Sequence, residues 1–193
     1  PKSVLLTFDD GALSSYTRVF PLLKQYDFPA VFAIPTSWIN GNNKDAYSAY
    51  GENNLMTWDQ MREMQESGLV DFASHSDDLH KGILGNPQKN MQPAAITREY
   101  LPKLGKYESE QAYQKRVIAD LRKSKEILDF QLGINTRAIF WPYGAVTKES
   151  EQLAAKAGLP MSFSLGSMST LVDSGATYQR GLIMNNPTPE MIH

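Results

Sequence analysis

The feature that most constrains this chain is a regular exchange between two hydrophobic rhythms. Apolar runs without alternation, the mark of strands covered on both faces, occur at residues 4–8 (Val4, Leu5, Leu6, Phe8) and in "AVFAIPT" (30–36). Further runs are "LVDFASH" (69–75), "RAIFW" (137–141), "MSFSL" (161–165) and "YQRGLIM" (178–184). Helical periods lie between them. Tyr16, Val19, Phe20, Leu23 and Tyr26 recur at helical spacing, with Pro21 as a kink or a new first turn. "TWDQMREMQESG" opens with Thr57 and Gln60 in capping-box spacing and closes on Gly68. A long helix is expected over 109–132, with Val117, Leu121, Leu128 and Leu132 on one side, a solvated charged face and Gly133 behind it; another is expected over 147–157. Six strands alternating with helices require parallel β-structure with right-handed crossovers, either a barrel or a doubly wound sheet. The Asn- and Gly-rich stretch 39–54 reads as a loop, and 76–107, with Pro87, Pro93 and Pro102, as a long irregular excursion of the functional kind.

Composition removes several function classes. The chain has 193 residues, 41% hydrophobic and 21% charged, enough for one sizeable domain and ordinary for a folded one. A net charge of -2 without a basic stripe argues against a nucleic-acid partner. No apolar stretch approaches the ~20 residues of a bilayer span, and no signal-peptide pattern is present. The absence of Cys removes disulfides, thiolate nucleophiles and Cys-ligated zinc. The abrupt opening on a strand leads us to expect a missing upstream element, in line with six strands where a closed barrel has seven or eight.

Three polar clusters follow directly on apolar runs. Asp9 and Asp10 end the first, with Gly11 behind them; His75 ends the third, with His80 just beyond; Pro142, Tyr143 and Gly144 follow the fourth. Adjacent carboxylates repel and need either water, as in a solvated turn, or a cation. In an α/β barrel the C-terminal strand ends share one rim, so clusters remote in sequence converge there. Five residues along an α-helix turn a side chain by roughly 140°, so one helix would not aim both imidazoles of "HSDDLH" (75–80) at one ion. A strand end followed by a turn does. Only three His are present and two lie here. Asp10 with two imidazoles leaves open coordination positions, as catalytic metal sites do, and leaves Asp9 free. Asp77 and Asp78 are the alternative, oxygen-rich ligands. His193, at the chain end, is expected to fray.

"WPYG" (141–144) reads as a turn, or as a backbone N–H held after Pro142 for a developing oxyanion. Trp141 and Tyr143 also offer flat faces for a sugar ring. Trp38, Trp58, Tyr47 and Tyr50 read first as packing.

In this order, "TFDDG", "SHSDDLH" and "WPYG" resemble the polysaccharide deacetylases of carbohydrate esterase family four. "LHKGILGNPQKNMQPAA" and "NNPT" narrow the resemblance to the biofilm poly-β-1,6-N-acetyl-D-glucosamine deacetylases, from about residue 3 to residue 188. The resemblance implies a distorted, incomplete (β/α)7-type α/β barrel, one domain over 1–193 lacking an upstream segment. It implies metal-dependent removal of N-acetyl groups from an N-acetylglucosamine polymer outside the cytoplasm. Chitin-like oligomers, peptidoglycan and xylan are the alternative substrates, and a non-catalytic glycan-binding barrel is the alternative class. Asp10, His75 and His80 would hold one divalent ion, zinc first, with iron, cobalt or nickel also suited. Asp9 would be the general base, the Tyr143 backbone N–H the oxyanion donor, and Trp141, Pro142 and Tyr143 the substrate contacts. Oligomeric state is not implied.

Two departures stand out. Many members carry an Arg close before the Pro-Tyr-Gly motif, where this chain has Phe140, which leaves Arg137 or Arg180 to orient Asp9. In the biofilm deacetylases the general-acid His lies upstream of the first motif, and no residue of this chain fills that place. Slow turnover is therefore expected unless an upstream segment supplies it.

Overall fold

The computed structural model describes residues 4–39, 41, 43–166, 177–183 and 188. Its strands in chain order are β1 (Leu6–Asp9), β2 (Ala30–Ile34), β3 (Val70–Ser74), β4 (Gly82–Leu84), β5 (Met91–Pro93), β6 (Tyr100–Leu101), β7 (Lys106–Tyr107), β8 (Ala138–Phe140), β9 (Met161–Leu165) and β10 (Tyr178–Arg180). The helices are α1 (Phe20–Tyr26), α2 (Thr36–Ile39), α3 (Lys44–Tyr50), α4 (Trp58–Glu66), α5 (Glu110–Leu132) and α6 (Lys148–Lys156).

Six strands pair in the order β1-β2-β3-β8-β9-β10, every neighbour parallel. This is the incomplete α/β barrel the alternation calls for. Among the described residues no pairing closes β10 onto β1, so the curled sheet is a half-barrel. Parallel pairing places the C-terminal ends of all six strands on one rim. The excursion 76–107 folds into two antiparallel ribbons, β4-β5 and β6-β7. No described helix is long and apolar enough to cross a membrane.

β1 departs from expectation. It is an edge strand, half-exposed along its length, and Val4 and Leu5 before it are 70% and 54% exposed. The strand covered on both faces is instead β2, where Phe32, Ala33 and Ile34 are fully buried. On the outer face, Phe32, Ile34, Met61, Met64 and Leu128 form one core cluster, and Val117, Leu121, Ile139, Trp141 and Leu153 belong to a second. Each fully buried side chain of this size contributes about 1.5–3 kcal/mol, so these clusters dominate the stability. The inner face is thinner: Ala33, Ala73 and Phe140 cluster with Val31, Ala138 and Phe163, and all of these but Ala33 line a lumen of about 360 Å³.

The helix signals resolve locally. A π-helical segment, Ser15–Val19, runs without a break into α1, and Pro21, which has no N–H to donate, sits at the second residue of α1 next to that irregular stretch. The Thr57/Gln60 capping box forms in full. Ser109 caps α5, and Gly133 ends it with φ 66°. Within the expected loop 39–54 lies α3, capped by Asn43, whose side chain accepts the N–H groups of Asp45 and Ala46. Seven residues with one buried member, Ala46, are too few for periodicity to show.

Candidate metal centre

The rim gathers the three clusters. Asp10 follows β1, His75 follows β3, and His80 lies on the turn beyond it. Asp10 Oδ1 is 3.4 Å from His75 Nε2 and 3.6 Å from His80 Nε2. One donor atom from each of the three residues lies within 4.8 Å of the others. Asp77 and Asp78 do not join them: Asp77 accepts from Thr36 and Lys123, and Asp78 pairs with Lys81.

The donor set fits a divalent cation. Asp10 Oδ1 is buried without a hydrogen-bond partner, facing both imidazoles, while Oδ2 accepts from the Tyr50 hydroxyl at 2.6 Å. His75 Nδ1 lies 2.7 Å from the Phe140 carbonyl, which can only accept, so Nδ1 carries the proton and Nε2 presents its lone pair. Among the described residues His80 Nδ1 has no hydrogen-bond partner, and its ring is held by packing. The Tyr143 ring stacks on it at 4.6 Å and the Trp38 ring meets it edge-on at 4.7 Å. Burial, then the neighbouring His75, lowers the His80 pKa against the opposing pull of Asp10 and Asp9. A neutral imidazole is the form that ligates. Burial and the bond to Asp10 raise the Tyr50 pKa beyond the ordinary phenol range, keeping it a donor.

Asp9 stands apart from this trio, answering which arginine orients it. Arg180 on β10 reaches across the open side of the half-barrel and bonds both carboxylate oxygens, Nη1 to Oδ1 and Nη2 to Oδ2, each at 2.9 Å. Its Nη1 also donates to Thr7, and its guanidinium lies over the Phe140 ring at 4.6 Å. Phe140, close before the Pro-Tyr-Gly motif, thus supports the Arg that holds Asp9. Burial works to raise the Asp9 pKa, but the bonds from Arg180 and its positive charge work against it, and the carboxyl is held below its usual range.

The backbone at this rim is unusual. Asp10 (φ 74°), Ser76 (φ 73°) and Tyr143 (φ 59°) all adopt left-handed conformations that cost a non-glycine residue energy. Strain concentrated at one spot marks geometry maintained by its surroundings. Gly144 has no alternative, because a Cβ there would sit 2.7–2.8 Å from Leu165 side-chain and backbone atoms. Turn bonds run from Gly144 N–H to Trp141 and from Ala145 N–H to Pro142, leaving the Tyr143 N–H out of both.

Trp141 requires a correction. It is fully buried, packs in the outer core and donates to Ser162 Oγ at 2.5 Å, so it presents no face to a sugar. Strand alternation turns residue 141 outward beneath α6 and residue 140 into the lumen. Pro142 is buried too, whereas Tyr143 is 53% exposed. His193 lies outside the described residues.

The expected solvated face of α5 also needs correcting. Asp120 accepts the backbone N–H groups of Asp77 and Asp78, and Lys123 bonds the Asp77 carboxylate at 2.6 Å. One signal was available: Ser124 is spaced as a core residue among Val117, Leu121 and Leu128, and it is buried against Ser74 Oγ at 2.8 Å.

Burial raises the Asp120 pKa from 3.8 to about 6, although the two N–H bonds oppose the shift. Between about pH 4 and 6 the folded chain therefore keeps a proton that the unfolded chain has released. Asp120 favours folding at the acid end of that window and opposes it as pH rises through 6, by about 3 kcal/mol. Urea unfolding across the window should show wild-type protein losing stability relative to Asp120→Asn as pH increases; parallel curves would refute it.

With the geometry established, comparison with known proteins is decisive. The family profile for polysaccharide deacetylase matches residues 1–162. The chain belongs to the polysaccharide deacetylase family. This deacetylase-family chain is 35% identical over 192 residues to the poly-beta-1,6-N-acetyl-D-glucosamine N-deacetylase of Escherichia coli (strain K12), covering 97% of this chain and 28% of that protein. It is 30% identical over 164 residues to the Staphylococcus epidermidis protein of the same name, covering 85% of this chain and 48% of that one. The chain thus spans between about a quarter and a half of the length of these relatives. Among solved structures, the BpsB deacetylase domain of Bordetella bronchiseptica superposes with a TM-score of 0.86 at 42% identity, over 95% of this chain and 72% of that one. A de-N-acetylase from Aggregatibacter actinomycetemcomitans gives 0.86 at 35% identity, over 98% and 73%. The resemblance drawn from the three motifs is borne out.

Proposed function

We propose that this chain removes N-acetyl groups from a poly-β-1,6-N-acetyl-D-glucosamine polymer outside the cytoplasm, with Asp10, His75 and His80 as ligands of one divalent ion, zinc foremost. The observation that carries this reading is a carboxylate pinned on both oxygens, Asp9, beside an unpartnered carboxylate oxygen facing two imidazoles. The relatives named above support the choice of polymer.

An amide carbonyl is a weak electrophile, and a divalent ion held here would supply Lewis acidity, polarising that carbonyl and acidifying water. Asp9 takes the proton of the attacking water, and Arg180 keeps its carboxylate aimed at the rim. As the water oxygen bonds to the acetyl carbon, negative charge collects on the former carbonyl oxygen, where the Tyr143 N–H donates. The C–N bond then breaks, the proton that Asp9 took from the water passes to the leaving nitrogen, and the amine and acetate separate. The exposed Tyr143 ring, seated on His80, is placed to border the acetamide.

Acetate release from β-1,6-linked N-acetylglucosamine oligomers tests the reading, with chitin oligomers and acetylated xylan as competitors. Release is expected on the β-1,6 oligomers first and should vanish on chelation. Chelator-resistant release overturns the metal assignment, and oligomer binding without release in metal-loaded protein turns the chain into a glycan-binding barrel. Tyr50→Phe removes the hydroxyl that fixes Asp10. Because partners of metal ligands typically matter 10–100-fold, cobalt affinity should weaken about tenfold in a competition titration.

A further inference from the structure

Building on that metal reading, we propose that Asp120, in the middle of α5, is a positioning residue of the metal centre, setting the path of the loop that carries His80.

The two imidazoles are oriented in different ways. His75 is fixed by the strand behind it and by its bond to the Phe140 carbonyl. Among the described residues His80 makes no such bond, and its buried Nδ1 has no partner there. Its place depends on the rings beside it and on the backbone between residues 75 and 80. That stretch belongs to no regular element, so its N–H groups need partners from elsewhere. Asp120 supplies two at once: Oδ1 accepts from Asp77 N–H at 2.9 Å, and Oδ2 from Asp78 N–H at 2.8 Å. Around this fork, the Asp77 carboxylate is held by the Thr36 hydroxyl at 2.7 Å and by Lys123 at 2.6 Å. Ser124, one residue beyond Lys123, ties the end of β3 through Ser74. One helix, more than forty residues away in sequence, grips the loop at its start and its middle.

Chemistry requires the carboxylate here. Only a group with two acceptor oxygens satisfies two convergent N–H donors; an amide accepts on one side and presents its own N–H groups on the other. Stability alone would not select this charge. Burial makes its ionised form costly, as its raised pKa shows. The fold carries that cost where it fixes the geometry of the loop.

The test measures cobalt(II) affinity by competition with a chelating dye, the visible d–d spectrum of the cobalt-loaded protein, and the unfolding midpoint of the metal-free protein near pH 7.5. Asp120→Asn leaves one loop N–H without an acceptor, so it should lower the midpoint modestly, bind cobalt about tenfold or more weakly, and show a changed spectrum. Lys125→Met, on the same helix, removes an ammonium bonded to Asp129, Asn135 and Thr136, away from the loop. It should lower the midpoint and leave cobalt affinity unchanged. Wild-type affinity and spectrum in Asp120→Asn overturn the proposal, as does equal weakening in Lys125→Met, which would trace the effect to helix stability. If Asp120→Asn does not fold, Lys123→Met at a largely exposed position decides: weaker cobalt binding supports the clamp and unchanged binding overturns it. Wild-type protein that takes up no cobalt removes the metal reading itself, and the proposal with it.

Discussion

Asp9→Asn should cut acetate release from β-1,6-linked oligomers by about 10²–10⁴, the usual contribution of a general base, while cobalt affinity stays within about twofold of wild type. The two effects separate because Asp9 lies outside the donor trio, with both oxygens engaged by Arg180. Asparagine keeps the shape and loses the capacity to take a proton. It also turns an N–H group towards a guanidinium that has only donors, so some stability should be lost. The pair is partly open, with side-chain exposures of 11% for Arg180 and 28% for Asp9. The loss should therefore fall below the 3–5 kcal/mol of a broken, fully buried ion pair. Initial rates with metal-saturated protein, beside an unfolding curve, make the measurement. Wild-type turnover in the Asn variant would remove Asp9 as the base.

Asp10→Ala attacks the other half of the rim, and there binding itself should fail. Removing a group that merely supports a ligand costs 10–100-fold in affinity, so removing the ligand should exceed 100-fold and bring acetate release down to the level of chelated protein. Asp10 Oδ1 lies 3.4 Å from His75 Nε2 and 3.6 Å from His80 Nε2, and the Tyr50 hydroxyl would lose its acceptor as well. Asp78→Asn is the matched control: Asp78 lies between the two histidines in sequence but pairs with Lys81, so cobalt affinity should hold. If Asp10→Ala binds cobalt tightly while Asp78→Asn does not, the ligand set has been assigned to the wrong carboxylate.

Arg180 shows how the family pattern can shift without losing its physics. The usual position of the arginine is occupied here by Phe140, on β8, and the charge comes instead from β10. A guanidinium stacked on the Phe140 ring delivers two N–H donors to Asp9, one to each carboxylate oxygen. Arg137, the other candidate, precedes β8 at the far end of the strand, where it lines the lumen cavity.

Local chemistry explains what could be read directly. Apolar runs and helical periods report burial along a strand or a helix, so the six strands, their parallel order and α4, α5 and α6 were legible from residue spacing. The trio was legible for a related reason. Asp10 and His75 stand at strand ends, with His80 on the turn just beyond, and parallel pairing sends every strand end to one rim, so topology brings them near. What spacing does not encode is direction. The alternation that turns Phe140 into the lumen and Trp141 under α6 depends on strand register, which separates a ring that supports Arg180 from one that fills the core. The curl of the sheet decides that Arg180 reaches Asp9. The docking of α5 against β3 decides that Asp120 meets the histidine loop, and the path of α3 brings Tyr50 to Asp10. Each of these contacts joins residues between forty and 171 positions apart, and only the packed chain makes them neighbours.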